Sequence, residues 1–305
     1  MHDIHNDFEI ENILEENRKR HEIINAPYNP VTGLGAVGER KKISIKDSPI
    51  GDMYLPVELI KENLFIRRLA KYGFKGYIIR FIKEVEYSEE ALNQLWIEFI
   101  KYRIIYDFEY WAYSFIFIKD KVSPKDIPFK LNRAQRRVLN KLEKLRKAGK
   151  PIKFILLKAR QWGGSTLVQI YMLWIMLVHR RNWNTVICGD VETQSRNVRA
   201  MITKALNKYP SYLLGETVKF TPFEGSSKNK VIQNTNCVVS IGSFQKPDTL
   251  RSGDISGAHL TEIGLWRATP GKKPEDLIQS ISGSIYDTAY TILGLESTAK
   301  GVGNF

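Results

Sequence analysis

The sequence Phe154-Ile155-Leu156-Leu157-Lys158-Ala159-Arg160-Gln161-Trp162-Gly163-Gly164-Ser165-Thr166 decides the fold of this chain of 305 residues. Its apolar first half predicts a buried strand, and its two glycines predict a tight loop. The apolar run that follows, from Leu167 to Val178, predicts a buried helix. A strand that enters a helix through such a loop directs backbone N–H groups and the positive end of the helix dipole to one point, where a phosphate can bind. A strand-to-helix turn with only a structural role is the alternative interpretation.

Residues 158–165 align with the phosphate-loop pattern G-x-x-x-x-G-K-[ST] (Walker A), with two departures. Gly163 and Ser165 match, whereas Lys158 replaces the first glycine and Gly164 stands where the lysine is usual. The pattern predicts a deviant loop in which Lys158 or Arg160 neutralises nucleotide phosphates and the Ser165 hydroxyl binds Mg²⁺. The predicted nucleotide-binding residues of the loop are Lys158, Ala159, Arg160, Gln161, Trp162, Gly163, Gly164, Ser165 and Thr166.

Short apolar runs alternate with helical segments from Ile152 onward. Such alternation predicts an α/β fold with a mostly parallel sheet flanked by helices. We divide the chain into an N-terminal extension with a Gly/Pro-rich loop (1–56), a mainly helical region (57–118) and a core that carries the phosphate loop (119–305). Within the core, strands are predicted at 152–157, 185–189, 230–233, 237–241, 258–260 and 290–293, and helices from residue 165 and over 192–209.

A candidate catalytic acid follows one of these strands. The residues from Gly257 to Thr261 predict a strand that ends at Glu262, about a hundred residues after the loop. A P-loop ATPase needs a carboxylate at the end of a neighbouring strand (Walker B) to orient water, which makes Glu262 the candidate. Thr261 stands where a metal-holding aspartate is usual, so the metal is expected to be held more weakly or through water.

Two further segments can complete such a site. Before the loop, Phe129 offers an aromatic ring that can stack on adenine, and Gln135 offers an amide that can hydrogen-bond it. After the predicted strand at 290–293, Glu296-Ser297-Thr298-Ala299 offers polar groups that can sense the γ-phosphate. The order of these segments along the chain favours the phosphate loop over the purely structural turn.

The positive charge of the chain is concentrated in one segment. The chain carries 46 Lys and Arg against 33 Asp and Glu, a net charge of +13. From Lys119 to Arg160, fifteen basic residues face three acidic ones, so this segment holds +12 of that charge. Within it, apolar residues recur at helical spacing, with Asn132 as the expected N-cap and Gly149 as the expected stop. The basic side of this helix is either a solvated surface or a surface that faces DNA phosphates.

The sequence also argues against several other sites. Cys188 and Cys237 lie far apart in apolar runs, which predicts free thiols in a reducing cytosol. The five histidines are not spaced with cysteines as zinc ligands, and no apolar run approaches the roughly 20 residues of a membrane span. Residues 33–38 match G-x-G-x-x-G, but a loop and not a strand precedes them, so we predict a surface loop and no dinucleotide site.

The ordered motifs resemble the ATPase domain of the large terminase subunit of tailed bacteriophages, the motor that packages DNA into capsids. The resemblance covers about residues 105–305, and Lys-x-Arg-Gln-x-Gly-x-Ser-Thr is its most specific motif. It implies an ASCE-type P-loop NTPase fold. The matching segments are 129–135, 158–166, 259–262 with Trp266, and 296–304.

The resemblance also implies a role for each matching residue. Gln135 would read adenine, Lys158 and the loop amides would bind phosphates, and Arg160 would act as an arginine in cis. Glu262 would be the catalytic carboxylate and would hold Mg²⁺ with Ser165, partly through water. Ser297 and Thr298 match the coupling motif, and Arg251 fits the basic position expected ahead of the Walker B strand.

For the whole protein, the resemblance implies ATP and Mg²⁺ as cofactors and translocation of double-stranded DNA into a procapsid. The implied partners are the portal protein, the small terminase subunit and further copies of this chain in a ring, expected to be a pentamer. The implied location is the host cytoplasm, outside the mature virion and without a membrane. Full large terminases continue into a nuclease domain that this sequence lacks, so we expect no DNA cleavage. A helicase-like ATPase and a non-hydrolysing DNA-binding module are the alternatives.

Overall fold

The computed structural model describes residues 9–15, 18, 27–82, 88–120, 122–246 and 254–299. Its N-terminal part is a set of helices with two small antiparallel hairpins, one of which lies between the first helix and the second and one of which follows the last helix. The elements are α1 (9–15), β1 (Arg40–Ser44), β2 (Asp52–Pro56), α2 (Val57–Glu62), α3 (Leu64–Phe81), α4 (Glu89–Tyr106), α5 (Phe108–Phe115), β3 (Phe117–Lys119) and β4 (Asp126–Pro128).

The remainder builds a seven-stranded sheet with its helices. It also contains a π-helical turn (Ile175–His179) and a 3₁₀ turn (Ile263–Leu265). The elements are α6 (Arg133–Lys147), β5 (Ile152–Lys158), α7 (Gly164–Trp174), β6 (Thr185–Gly189), α8 (Glu192–Asn207), α9 (Ser211–Leu214), β7 (Phe220–Phe223), β8 (Ser226–Ile232), β9 (Cys237–Ser243), β10 (Gly257–Thr261), α10 (Pro274–Gly283) and β11 (Ile292–Thr298).

The strand order brings three strand ends together. The sheet runs β5-β11-β10-β6-β9-β8-β7; its first five strands are parallel, and β8 and β7 are added antiparallel. Strand β11 therefore lies between the loop strand β5 and β10, the strand that leads to Glu262. Because carboxyl ends of parallel strands meet at one edge, the segments that follow Lys158, Thr261 and Thr298 converge there.

Helix α6 forms where the pattern of residues 132–149 predicts it. The Asn132 side chain accepts a hydrogen bond from the Gln135 backbone N–H, and the Gln135 side chain bonds back to the Asn132 backbone, which makes a capping box. Leu139 and Leu142 are buried on the inner side. Gly149 follows the helix with a φ of 66°, the left-handed conformation that glycine adopts without strain. The predicted cap and stop are both confirmed.

One hydrophobic core crosses the predicted domain boundaries. A single cluster of buried side chains extends from Ile45 on the N-terminal side to Ile292 in β11. Hydrogen bonds also join the two parts, from Trp174 Nε1 to the Ile104 carbonyl (2.8 Å) and from Trp111 Nε1 to the Tyr209 hydroxyl (2.9 Å). The helices of 57–118 therefore pack directly onto the sheet region, while the boundaries at 56/57 and 118/119 stay predictions.

A buried ionic network fixes the N-terminal part to α6. Asp107 is 1% exposed and accepts two hydrogen bonds from Arg40, each 2.9 Å long, and one of 3.1 Å from Arg103. Glu109, also 1% exposed, pairs with Arg136 of α6 at 3.1 Å. Because an unpaired charge is very costly in a dry interior, each member of this network depends on the others.

The predicted α/β fold is confirmed, and the structure adjusts several of its elements. The antiparallel strand β7 was not predicted, because its Thr and Pro residues give no apolar run. The strand predicted at 290–293 instead spans Ile292–Thr298, so Glu296, Ser297 and Thr298 lie in the strand and not in a loop after it. Residues 33–38 form no helix and lead to β1, as expected of a loop.

Both cysteines of the chain lie among the described residues. Cys188 and Cys237 are buried free thiols. Among the described helices, none is long and apolar enough to cross a membrane. Within the same residues, no group of three or more His, Cys, Asp and Glu side chains is arranged to hold a metal ion by itself.

Candidate active site

The predicted phosphate loop connects β5 to α7. Gly163 caps α7 with a φ of 83°, a left-handed conformation, and Gly164 is the first helical residue. The first N–H groups of a helix have no partner within it, so those at the start of α7 are available to an anion. A Cβ atom at Gly163 would lie 2.7 Å from Gln135 Nε2. The backbone conformation therefore favours glycine here, and a larger residue would also displace the Gln135 amide from the loop.

The Lys158 side chain lies beside the position at which the pattern usually has its lysine. A Cβ atom added at Gly164, the usual lysine position, would lie 2.8 Å from the Trp162 ring and 3.2 Å from Lys158 Cδ. The two lysine positions thus lie side by side, although they are six residues apart in the sequence. The relocation of the cation that the sequence predicts is therefore sterically possible, because the Lys158 side chain at the end of β5 reaches the start of α7.

The ammonium group of Lys158 joins two strand-end carboxylates. Its Nζ lies 2.8 Å from Glu262 Oε1 and 3.0 Å from Glu296 Oε1, with the lysine side chain only 7% exposed. Burial alone would lower the pKa of Lys158, but the two carboxylates outweigh it and raise the pKa above its usual value. Lys158 is therefore a permanent cation at the loop.

Glu262 lies where the sequence predicts the catalytic acid, directly after β10. Its backbone is in the left-handed region, with a φ of 57° and a ψ of 38°, a strained conformation for a residue other than glycine. Thr298 holds the carboxylate with its backbone N–H (3.2 Å) and its hydroxyl (2.9 Å). Burial raises the pKa of Glu262, but the hydrogen bonds from Lys158 and Thr298 outweigh burial and bring the pKa below its usual value. Glu262 is thus ionised at neutral pH.

Glu296 is the centre of the site, although the sequence predicts it only as one of the polar residues of 296–299 that can sense the γ-phosphate. The fully buried carboxylate accepts a 2.5 Å hydrogen bond from the Ser165 hydroxyl through Oε1, and its Oε2 lies 2.6 Å from His259 Nε2. Burial raises the pKa of Glu296, but His259, Ser165 and Lys158 together lower it to about 2. An ionised carboxylate can only accept hydrogen bonds, so His259 Nε2 carries the proton of this pair.

The two predicted coupling residues both contact the end of β10. Ser297 Oγ accepts a hydrogen bond of 3.0 Å from the Gly264 N–H, in the turn after Glu262. Thr298 holds Glu262 itself. These contacts connect β11 to Glu262, and the coupling role stays a prediction.

The two residues predicted to bind adenine are buried or hydrogen-bonded to other residues of this protein. Phe129 is 2% exposed. Gln135 accepts a hydrogen bond from the Asn132 N–H and donates one of 2.8 Å to the Gly163 carbonyl. Asn132 donates another, also 2.8 Å long, to the Trp162 carbonyl. The start of α6 therefore braces the phosphate loop, and any contact with adenine would require the Gln135 amide to leave these partners.

The other predicted residues differ in their surroundings. Ala159, Arg160 and Gln161 are exposed, whereas Trp162 and Thr166 are half-buried. Arg160 forms no ion pair with another described residue, so its guanidinium faces solvent beside the loop. Arg251 lies outside the described residues.

The residues present fit a nucleotide phosphate and a divalent cation. Ser165 donates its proton to Glu296, which leaves the oxygen lone pairs of the hydroxyl for a cation. Lys158 and the start of α7 supply positive charge for phosphate oxygens, and Glu262 supplies a charged acceptor nearby. Magnesium usually takes one or two protein ligands and several oxygens of water and phosphate, a requirement that Ser165 and one carboxylate can meet.

Comparison with known proteins finds structural likenesses only. The protein is similar to the large terminase of bacteriophage HK97, with 21% identity and a TM-score of 0.49, over 65% of this chain and 37% of that one. It is also similar to the large terminase ATPase domain of Thermus phage P74-26, with 14% identity and a TM-score of 0.35, over 52% of this chain and 65% of that one. No family model matches the sequence, and no curated protein matches it. In both cases the match spans less than two thirds of the other chain, and the function of this protein rests on its own residues.

Proposed function

We propose that this protein is a Mg²⁺-dependent ATPase, the motor domain of a viral large terminase that moves double-stranded DNA into a procapsid. One observation carries the proposal: the Lys158 ammonium lies at the phosphate loop and within 3.0 Å of both Glu262 and Glu296, and Ser165 at the helix start binds the second of these. Cation, hydroxyl, helix N-terminus and general base are the groups that nucleotide hydrolysis needs.

The proposed chemistry assigns one task to each group. The amides at the start of α7 and Lys158 bind the β- and γ-phosphates, and Ser165 offers its oxygen to Mg²⁺, which when bound neutralises phosphate charge. Glu262 accepts a proton from the water that attacks the γ-phosphorus, while the bond to the ADP oxygen breaks. Thr298 keeps the Glu262 carboxylate in place, and Arg160 can swing to the phosphates from its exposed position.

The test is phosphate release from Mg-ATP by the unmodified chain and by Lys158→Ala. We expect a loss of at least about a hundredfold, because a cation that stabilises transferring phosphate is removed from the site. Lys153→Ala is the matched control: Lys153 lies in the same strand but on its exposed side, paired with Asp287. Nucleotide binding without turnover in the unmodified chain would instead support a non-hydrolysing module.

Only part of the basic segment 119–160 is available to DNA. Arg136, Arg146, Lys147, Lys153 and Lys158 are each paired with a carboxylate of this chain. The outer side of α6 keeps three exposed cations one helical turn apart, which we call the basic stripe: Arg137, Lys141 and Lys144. We propose that the basic stripe contacts the phosphates of double-stranded DNA.

Replacing the basic stripe with glutamine in a triple variant is expected to weaken DNA binding and to flatten its salt dependence. Each phosphate contact contributes about 0.9 to the slope of log affinity against log salt, so the slope should fall by about 2 to 3. Fluorescence anisotropy with duplex DNA at several salt concentrations measures both quantities. The control is glutamine at Lys61, Arg67 and Lys71, three exposed cations of α2 and α3. Equal losses of DNA affinity in both triple variants would show that the net charge of the protein, and not the basic stripe, determines DNA binding.

The proposed assembly follows from the motor role. A ring of copies of this chain, a portal protein and a small terminase subunit would be its partners in the host cytoplasm. Analytical ultracentrifugation with and without Mg-ATP would show whether the chain associates with itself. A helicase-like ATPase would separate the strands of a forked duplex, an activity that the proposed motor does not have.

A further inference from the structure

The register of the sheet places the Glu296 carboxylate beside Thr261, the position at which a metal-holding aspartate is usual. In the parallel pair of β10 and β11, Thr261 lies directly opposite Glu296. Alternate residues of a strand point to the same side of a sheet, so Thr261 shares its side with His259, which contacts Glu296. Thr261 stands where a metal-holding aspartate is usual, and the adjacent strand supplies an acid at the same level.

The contacts of Glu296 are those that a metal-holding carboxylate needs. Its Oε1 accepts a hydrogen bond of 2.5 Å from the Ser165 hydroxyl and lies 3.0 Å from Lys158 Nζ, while its Oε2 lies 2.6 Å from His259 Nε2. Both Glu296 and His259 are fully buried. Carboxylates that bind metals in proteins are usually held by hydrogen bonds from a second layer of residues, and His259 holds the Glu296 carboxylate in this way.

We propose that Glu296, positioned by His259, replaces the absent aspartate at Thr261 and holds Mg²⁺ at the nucleotide together with Ser165. The proposal rests on the proposed nucleotide function and names a residue for which that function alone gives no role. It divides the two acids of the site: Glu262 acts on water, and Glu296 acts on the metal. Lys158 then neutralises the charge of the two carboxylates in the nucleotide-free site, and phosphate oxygens take the place of one of them beside its ammonium when nucleotide binds.

The experiment compares the affinity for a fluorescent ATP analogue with Mg²⁺ and with EDTA, a binding readout that needs no turnover. In the unmodified chain, Mg²⁺ should tighten binding. We call the factor by which Mg²⁺ increases the affinity for the analogue the gain from Mg²⁺. In Glu296→Gln, this gain should fall by about 10- to 100-fold, the usual effect of losing a group that supports a metal. The double variant Thr261→Asp with Glu296→Gln should recover the gain, because it returns the carboxylate to the neighbouring strand.

A matched control separates the metal role from the loss of any buried acid. Glu143 is also buried and hydrogen-bonded, by Arg146 and Tyr171, but it lies away from the loop. Glu143→Gln should lower stability without changing the gain from Mg²⁺. Circular dichroism during heating shows whether each variant folds. If Glu296→Gln is unfolded, His259→Leu and His259→Gln give the same information: the leucine variant should lose part of the gain, and the glutamine variant, which keeps an N–H donor, should lose less.

The two proposals fail in different ways. An unmodified chain that binds and hydrolyses Mg-ATP, with a Glu296→Gln variant that keeps the full gain from Mg²⁺, would overturn the role of Glu296 and leave the ATPase intact. An unmodified chain that binds no nucleotide under either condition would overturn both.

Discussion

Glu262→Gln is expected to abolish ATP turnover while nucleotide binding persists. The amide has nearly the same size as the carboxylate, but its one oxygen can accept hydrogen bonds from Lys158 or from Thr298 and not from both, since they bond to different oxygens of Glu262. It cannot take a proton from water at neutral pH, so the rate should fall by about 10²- to 10⁴-fold, the usual contribution of a general base. Phosphate release at saturating Mg-ATP measures the rate, and the fluorescent ATP analogue measures binding.

The control for this variant is Glu224→Gln. Glu224 is also a glutamate with a left-handed backbone, at a φ of 48°, but it is exposed in the turn between β7 and β8. Its replacement tests whether changing any glutamate with a left-handed backbone reduces ATP turnover, whatever its distance from the loop. Full turnover in Glu262→Gln would remove Glu262 from the chemistry and leave Glu296 as the remaining acid at the loop. The assay should include high protein concentration, since a site completed by a neighbouring copy would be active only when the copies associate.

The largest expected loss of stability follows from Asp107→Asn. The change leaves Arg40 and Arg103 without their shared carboxylate in the interior, where Arg103 is fully buried. Removing one partner of a buried ion pair typically costs about 3–5 kcal/mol of unfolding free energy. Denaturation with urea measures the difference. Asp126→Asn is the control, because Asp126 pairs with Lys204 and Lys208 near the surface, where water replaces the lost contacts, and we expect little change.

The same network predicts how stability depends on pH. Burial raises the pKa of Asp107, but the charges and hydrogen bonds of Arg40 and Arg103 outweigh it and lower the pKa to about 2. A lowered pKa in the folded state means that the ionised acid stabilises the fold above the pKa of about 4 that it has when unfolded. That stabilisation is lost as the pH falls through about 2. Asp107→Asn should therefore be less sensitive to acid than the unmodified chain across this interval. An unchanged pH profile would show that other carboxylates control acid unfolding.

Local patterns were sufficient for much of this protein. The apolar run, the glycines and the second apolar run around residues 154–178 predict a strand, a loop and a helix, because each depends on neighbours within a few residues. The capping box at Asn132 is equally local, since both partners lie in one helical turn. Glu262 could be identified as the candidate acid from its position after an apolar strand.

The partners of the loop could not be predicted in the same way. That Gln135 binds the Gly163 carbonyl depends on how α6 lies against the loop, which no local pattern contains. Its amide was predicted to contact adenine because its chemistry suits both roles. Glu296 was part of a recognised segment, but the residues next to it in the sequence give no information about Lys158, Ser165 and His259, its neighbours in space. The signal that could have identified it is the pairing of an acid in one parallel strand with the missing acid in the next.

The sequence by itself determined the α/β class, the strand, loop and helix around Lys158, the acid after β10 and the segment with most of the positive charge. Those features depend on periodicity, on turn residues and on composition, which are properties of contiguous residues. Only the tertiary structure decided which charges meet. The register of β10 and β11 set Glu296 beside Thr261, and the strand order placed β11 between the loop strand and β10. Register and strand order result from the packing of the whole sheet, where residues more than a hundred positions apart in the sequence become neighbours.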